Sequence, residues 1–281
     1  MKCKKYVAIL VSTVLCLNGI TVYASEKNES NIPQKVIEIS AGSDEIYGEG
    51  VPLEHTENPK QKFISGGINH THQYIVSNAV LVLQNDKGNS IFSDAKKLEN
   101  LFYFTDWPDE YGNETDAGTF SGHFYNPNTG KNWMGQTTPT AKGRAISYYN
   151  EAVTAYKNGK VDLAIRYIGT GSHYVSDLSE PHHTSNLTAL NSNHTAFEKY
   201  VDENRASFKI ENNSLENSYY TSATSKSLSD LLQSAAVYSN ALAEDAQKES
   251  MYYSSAEKSV ERAIINVTQY FYKFGKDVGI Y

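Results

Sequence analysis

Residues 161–183, VDLAIRYIGTGSHYVSDLSEPHH, combine a helical pattern with side chains that bind metals. Apolar residues recur at helical spacing over 161–175, which predicts an amphipathic α-helix. His173 and Asp177 are four residues apart, so on a helix both point from one face about one turn apart. The stretch therefore predicts a helical fold that presents an imidazole and a carboxylate together.

The same helical spacing recurs through the rest of the chain, and alternating strand patterns are nearly absent. Stretches rich in Asn, Gly and Pro at 108–139 and 185–193 predict long loops. We therefore expect an all-α protein, a multi-helix bundle with long loops and no second domain after the last helix. The predicted helical segments are 72–83, 95–104, 141–156, 161–175, 196–208, 228–242 and 260–274.

The first 24 residues have the pattern of a secretory signal peptide. Three lysines precede an apolar run at 6–17, and small side chains occupy the positions that a signal peptidase reads at Val22 and Ala24. We therefore expect a secreted, extracellular protein. Residues 25–62 are charged, contain proline and lack periodicity, which predicts a propeptide or flexible arm before a folded domain at 63–281.

The positions of the cysteines and the net charge argue against disulfides, thiolate metal sites and nonspecific binding of nucleic acid. Both cysteines, Cys3 and Cys16, lie in the predicted signal peptide, so the mature chain would hold neither a disulfide nor a thiolate metal site. Removal of three lysines with the signal peptide moves the formal net charge from −7 to −10. An acidic surface disfavours nonspecific binding to nucleic acid. We expect a monomer with no nucleic-acid partner.

A second imidazole–carboxylate pair, His194 and Glu198, repeats the spacing of the first. One such pair is most often a salt bridge on an exposed helix face. Two pairs that bracket a Pro-His-His turn, in a chain without cysteine, favour a metal centre instead. Nitrogen and carboxylate ligands without sulfur suit zinc, and such sites leave a coordination position for water.

Three motifs resemble those of the bacterial zinc-dependent phospholipases C, which include the alpha-toxin type. They are HYVSDLSEPHH at 173–183, GTFSGHFYNPNTGK at 118–131 and HTAFEKYVD at 194–202. The resemblance extends over about residues 66–208. It implies a cleft with three zinc ions and hydrolysis of the glycerol-side phosphodiester bond of phosphatidylcholine-type lipids at a membrane or micelle surface. The products would be diacylglycerol and phosphocholine, released by metal-activated water.

The resemblance also implies which residues bind each zinc ion. One ion would be shared by His72 and the mature N-terminus, and Asp177 would bridge it to the second ion. Asp106 is also expected to act as the catalytic base. The ligands expected for the second ion are Asp106, His123, His173 and Asp177, and those for the third ion are His183, His194 and Glu198.

A choline pocket is implied at Trp107 and Phe120, which match the aromatic positions of the family. Attraction between a quaternary ammonium and the face of an aromatic ring is a physical reason for such a pair. For Phe120, simple packing in the core remains an equal alternative. His182 and His55 match no ligand position and are expected at the surface.

The chain departs from the family at the expected mature N-terminus. Family members begin with a tryptophan that binds zinc through its backbone, but no tryptophan occurs at 59–62, where it would stand. Another N-terminal residue could serve after cleavage near Phe63, His70 could replace it, or that zinc could be weakly held. Two zinc ions would remain if the N-terminal site is absent.

Two other functions fit parts of this pattern. Three-zinc nucleases that cut single strands are similar in fold and ligands, but they usually end the ligand series with HxxxD, whereas this chain has Glu198. A catalytically impaired relative that binds lipid or choline would account for the missing tryptophan. The other ligand types are all present, which favours the enzyme.

Overall fold

A computed structural model describes residues 70–88, 91–110 and 112–281. Within these ranges no residue belongs to a β-strand, so the prediction of an all-α fold is confirmed. The predicted signal peptide, the predicted arm and His55 lie outside the described residues. The described α-helices are α1 (Thr71–Lys87), α2 (Ala95–Asp106), α3 (Ala141–Lys157), α4 (Val161–Asp177), α5 (Pro181–Ser185), α6 (His194–Asn204), α7 (Asn217–Ser225), α8 (Leu228–Asn240), α9 (Ala243–Ala246) and α10 (Tyr252–Asp277).

Each predicted helical segment coincides with an α-helix, and three helices were not predicted. The unpredicted helices α5, α7 and α9 have only 5, 9 and 4 residues, too short for a helical period to show. Helix α10 begins at Tyr252, eight residues before the predicted segment. Within the described ranges, no helix has the length and apolar character needed to cross a membrane.

Helix α4 is the central helix of the bundle, and residues 168–177 are all buried. Two glycines permit its close packing. A Cβ on Gly169 would lie 2.7 Å from the carbonyl oxygen of Leu101 in α2, and a Cβ on Gly171 would lie 2.1 Å from the hydroxyl oxygen of Tyr270 in α10. A larger side chain would therefore push the α2 backbone away at Gly169 and displace the Tyr270 ring at Gly171, because packed cores leave no such space.

The turn after α4 is held by α10. The Ser259 hydroxyl donates to the carbonyl oxygen of Ser179 at 2.7 Å, and the Asn266 amide donates to the Ser179 hydroxyl at 3.0 Å. Helix α5 then begins at Pro181, whose ring suits the first position of a helix. The C-terminal helix thus sets the direction in which α5 leaves α4.

Candidate metal centre

The last turn of α4 supplies two buried candidate ligands. His173 Nε2 lies 3.4 Å from Asp177 Oδ2, and neither side chain is exposed. The other ring nitrogen, His173 Nδ1, lies 2.8 Å from the carbonyl oxygen of Thr105. A carbonyl oxygen only accepts, so the hydrogen bond places the imidazole proton on Nδ1. Nε2 then keeps a lone pair that can bind a cation.

Three more buried side chains converge on this pair from other elements. His72 comes from α1, Asp109 from the 3₁₀ turn Trp107–Asp109, and His123 from the 3₁₀ turn Ser121–His123. His72 Nε2 lies 3.9 Å from Asp109 Oδ2 and 3.8 Å from Asp177 Oδ1. His123 Nδ1 lies 3.0 Å from Asp177 Oδ2 and 3.5 Å from Asp109 Oδ1. These three residues, together with His173 and Asp177, form the first cluster.

An arginine in α3 fixes the loop that carries His123. Arg144 Nη2 donates to Asp116 Oδ1 at 2.6 Å, and the Gly122 backbone N–H donates to Asp116 Oδ2 at 2.7 Å. A Cβ at Gly122 would lie 2.2 Å from Arg144 Nη1, so any larger residue there would displace the guanidinium from its place beside Asp116. His123 Nε2 contacts the carbonyl oxygen of Glu114 at 3.2 Å. That bond orients the ring so that Nδ1 faces the first cluster.

A second cluster lies where α5 and α6 begin. It consists of Glu180, His183, His194 and Glu198, whose ligand atoms lie within 4.8 Å of one another. His194 Nε2 lies 2.8 Å from Glu198 Oε1, and His183 Nε2 lies 3.4 Å from the same oxygen. Glu180 Oε2 lies 3.8 Å from His194 Nε2. All four side chains are buried.

A contact between Asp177 and His183 joins the two clusters. His183 Nδ1 lies 3.0 Å from Asp177 Oδ1, while Nε2 of the same ring faces Glu198. A histidine held by a carboxylate at one nitrogen and turned towards a cation site with the other is a recurrent arrangement at zinc centres. Asp177 therefore contacts ligands of both clusters.

The electrostatics of the clusters favour a bound cation. Burial and the neighbouring His173 hold the pKa of His72 well below 6.5, so its ring is neutral at neutral pH, the form that binds metals. Each cluster also buries two carboxylates, and buried charges of like sign are costly unless a cation offsets them. Nitrogen and oxygen ligands without sulfur fit zinc.

The distances within the clusters agree with tetrahedral zinc. Ligand atoms about 2.0 to 2.1 Å from the ion would be roughly 3.3 Å apart. The separations of 2.8 to 3.9 Å between nitrogen and oxygen atoms of the clusters bracket that value. The residues present therefore fit the metal that the sequence predicts.

Comparison with known proteins identifies the family. A family model described as zinc-dependent phospholipase C matches residues 71–259, more than half of the 281-residue chain. The chain belongs to this family. The matched span contains the candidate ligands of both clusters, so these clusters lie in the part of the chain that family members share.

Individual relatives match over about half of their own length. A phospholipase C of Listeria monocytogenes is 32% identical over 47% of this chain and 48% of that protein. One from Bacillus cereus is 29% identical over 51% of this chain and 53% of that protein. One from Clostridium haemolyticum is 29% identical over 67% of this chain and 51% of that protein.

Solved structures agree in fold with this zinc-dependent phospholipase C family member. The alpha toxin of Clostridium absonum superposes with a TM-score of 0.66 at 23% identity, covering 74% of this chain and 64% of that one. An alpha toxin of Clostridium perfringens gives a TM-score of 0.63 at 20% identity, covering 74% of this chain and 63% of that one. At these identities the likeness shows the fold alone.

The structure brings together seven of the eight predicted metal ligands, and Asp106 is the exception. Asp106 ends α2, is 5% exposed and belongs to none of the candidate metal groups among the described residues. Asp109, one 3₁₀ turn later, occupies the first cluster instead. The motif FTDWPDEY contains both aspartates three residues apart, and spacing alone does not decide between them.

His182 is fully buried, so the prediction that it lies at the surface is wrong. Its Nδ1 lies 2.8 Å from Glu180 Oε1 and its Nε2 lies 3.1 Å from Asn193 Oδ1. Burial opposes both charges, but mutual attraction raises the pKa of His182 and lowers that of Glu180. Packing of α5 against α6 encloses this pair, which local sequence does not reveal.

Glu180 was not predicted from the sequence, and His70, named there as an alternative ligand, contacts an aspartate. Glu180 precedes Pro181, and an acid just before a helix-starting proline is a recognisable cap, which was the available signal. His70 Nδ1 lies 3.1 Å from Asp202 Oδ2, and His70 belongs to none of the metal groups found among the described residues.

The two candidate choline-binding aromatics differ in exposure. Trp107 begins the 3₁₀ turn that carries Asp109 and is half-buried. Phe120 is only 2% exposed, and its ring centroid lies 5.6 Å from that of His123. Phe120 thus packs against a residue of the first cluster. Binding of choline by either aromatic stays a prediction.

Proposed function

We propose that this chain is a secreted phospholipase C that hydrolyses the glycerol-side phosphodiester bond of phosphatidylcholine-type lipids. The observation that carries the proposal is the pair of buried imidazole–carboxylate clusters joined through Asp177 and His183. Membership of the zinc-dependent phospholipase C family supports the same reaction. The substrate would be met at a membrane or micelle surface, and the products would be diacylglycerol and phosphocholine.

The two clusters would hold the zinc ions. His72, Asp109, His123, His173 and Asp177 of the first cluster form two overlapping ligand groups that share His173. We expect two ions there if the α-amine of the mature N-terminus joins His72, and one if it does not. The second cluster would hold one more ion. Bound zinc lowers the pKa of water towards neutrality and offsets the charge of a phosphate.

Asp109 replaces Asp106 in this proposal as the proton acceptor. Its Oδ1 lies 3.5 Å from His123 Nδ1 and 3.6 Å from His173 Nε2, so the carboxylate is held between two imidazoles. A carboxylate fixed in this way can accept the proton of the attacking water as the new bond to phosphorus forms. The bond from phosphorus to the diacylglycerol oxygen breaks on the opposite side, and that oxygen takes a proton from solvent to give the alcohol.

Trp107 would recognise the choline head group, since it borders the turn of Asp109 and keeps an accessible surface. Cation–π attraction contributes about 1 to 2 kcal/mol, so Trp107→Ala should reduce kcat/KM for choline lipids roughly 5- to 30-fold more than for ethanolamine lipids. Trp133→Ala, at the chain's other tryptophan, is the matched control. An equal loss for both head groups would assign Trp107 to packing.

The decisive experiment combines zinc analysis with substrate choice. The secreted protein should begin between about residues 59 and 64 by mass spectrometry, contain three zinc ions, and turn over a chromogenic choline phosphodiester. Single-stranded DNA serves as the competing substrate. Cleavage of DNA without turnover of the choline ester would indicate a nuclease, and zinc binding without either activity would indicate an impaired lipid-binding relative.

A further inference from the structure

Glu180 contributes a carboxylate to the second cluster from a position just before α5. The side chain is fully buried, and its Oε2 lies 3.8 Å from His194 Nε2. The same carboxylate accepts from the His183 backbone N–H at 2.5 Å and contacts His182 Nδ1 at 2.8 Å. Each carboxylate oxygen has a second lone pair, so these hydrogen bonds still allow it to bind a cation. Ligating carboxylates in proteins are commonly hydrogen-bonded in this way.

Aromatic rings enclose the second cluster. Phe124 is fully buried and stacks on His183, with ring centroids 4.7 Å apart at 29°. The ring of His182 stacks on His194, with centroids 5.0 Å apart at 1°. Both imidazoles of the cluster therefore carry a ring on one face, and the cluster has little access to solvent.

We propose that Glu180 is a fourth protein ligand at the second cluster, so that the zinc ion held there has no position for water or substrate. Zinc sites with four protein ligands are structural, whereas hydrolytic zinc sites have three and leave one position open. The two carboxylates, Glu180 and Glu198, also balance the charge of one divalent cation. This inference rests on the metal assignment of the proposed function.

The two clusters would then have different tasks. The second cluster ties α5 to α6 and, through Asp177 and His183, supports the first cluster. Attack on phosphorus would then take place at the first cluster. Glu180 would thus bind the metal of the second cluster and support the reaction indirectly, through the first cluster.

The test measures zinc affinity by competition with a graded series of chelators. Glu180→Gln keeps an oxygen that can accept the His183 N–H, so the cap of α5 remains. We expect this variant to lose one zinc ion per chain with an affinity at least about tenfold lower, while the other ions stay bound as in the native protein. Glu203→Gln on the exposed side of α6 is the control, with unchanged zinc content.

A spectroscopic readout separates coordination from hydrogen bonding. In a His72→Asn, His123→Asn background, which dismantles the first cluster, the visible spectrum of bound Co²⁺ should be four-coordinate and insensitive to azide. Addition of Glu180→Gln should make it azide-sensitive, because a position opens. If that background does not fold, Glu180→Asp in the native chain, with the charge kept but the reach shortened, should lower zinc affinity at least about tenfold.

Two outcomes are distinguishable. If the native protein binds no zinc, the proposed function fails with the inference. If the native protein binds zinc and hydrolyses the choline ester, but Glu180→Gln keeps full zinc affinity and the native response to azide, only the fourth ligand is overturned. Glu180 would then be a cap and a hydrogen-bond partner of His182.

Discussion

Asp109 lies at the start of a long loop, and its two carboxylate oxygens face three imidazoles. Oδ1 faces His123 and His173 at 3.5 and 3.6 Å, and Oδ2 faces His72 at 3.9 Å. Asp106 is only three residues away, but it ends α2 and belongs to none of the candidate groups found among the described residues. A shift of one turn therefore decides which aspartate lies in the first cluster.

We predict that loss of the Asp109 charge impairs activity and zinc binding more than loss of the Asp106 charge. Asp109→Asn removes one charge from the first cluster, so we expect kcat/KM to fall at least about 100-fold and zinc affinity to fall with it. Asp106→Asn should reduce kcat/KM less than about tenfold. The measurement is turnover of a choline phosphodiester together with zinc content. A larger loss for Asp106→Asn, in variants that fold, would restore Asp106 as the ligand.

Helix α4 positions candidate ligands only because two neighbours approach it closely. Gly169 faces the backbone of α2, which also provides the Thr105 carbonyl oxygen that orients His173. A wider gap between α2 and α4 would lengthen that hydrogen bond. The geometry of the first cluster therefore depends on a residue with no side chain.

The element-scale prediction is that Gly169→Ala destabilises the fold despite the higher helix propensity of alanine. The added methyl would lie 2.7 Å from the Leu101 carbonyl oxygen, and overpacking of this kind costs about 1 to 3 kcal/mol. Gly143→Ala, where the nearest atom is the Thr140 hydroxyl oxygen at 3.2 Å, should change stability by less than about 1 kcal/mol. Urea unfolding measures both. Equal stability of the two variants would contradict tight packing at Gly169.

At the scale of the whole molecule, the clusters gather side chains from α1, α4, α5, α6 and the loop between α2 and α3. Bound metal would cross-link these elements, in a mature chain predicted to have no disulfide. Metal-binding free energy is then in part folding free energy.

We therefore predict that chelation lowers the melting temperature by at least about 10 °C, because each kcal/mol corresponds to roughly 2 to 4 °C in a domain of this size. Differential scanning calorimetry with and without a strong chelator measures the shift. Re-addition of zinc should restore the native value, which controls for irreversible damage. An unchanged melting temperature after verified zinc removal would contradict the cross-linking role.

The pH dependence of the metal-free protein provides a second test at this scale. Burial and the neighbouring His173 lower the pKa of His72 in the folded protein below 6.5. As the pH falls through 6.5, His72 therefore becomes protonated in the unfolded chain but stays neutral in the folded protein. His72 therefore makes stability fall towards acid pH. His182 acts in the opposite direction, because its raised pKa adds stability below 6.5 that is lost as pH rises through the folded value.

We predict that His72→Asn flattens the acid-side loss of stability, whereas His182→Asn steepens it. Chemical unfolding of the chelated proteins at a series of pH values measures both slopes. Parallel profiles for the native protein and His72→Asn would mean that His72 has the same pKa folded and unfolded.

The local sequence was sufficient to predict the long helices and the imidazole–carboxylate pairs within them. Apolar periodicity predicted every long helix, since a helix of this length must bury one face. The pairs His173–Asp177 and His194–Glu198 followed from the four-residue spacing that a helix imposes. Both pairs are buried and close in the structure.

Only the tertiary structure placed Asp109, rather than Asp106, in the first cluster and showed that His182 is buried. The direction of a side chain in a 3₁₀ turn depends on how α2 packs against α4, and the burial of His182 depends on how α5 meets α6. The same packing brings Glu180 to the second cluster from outside any long helix. Such contacts join residues far apart in the chain, so no local pattern encodes them.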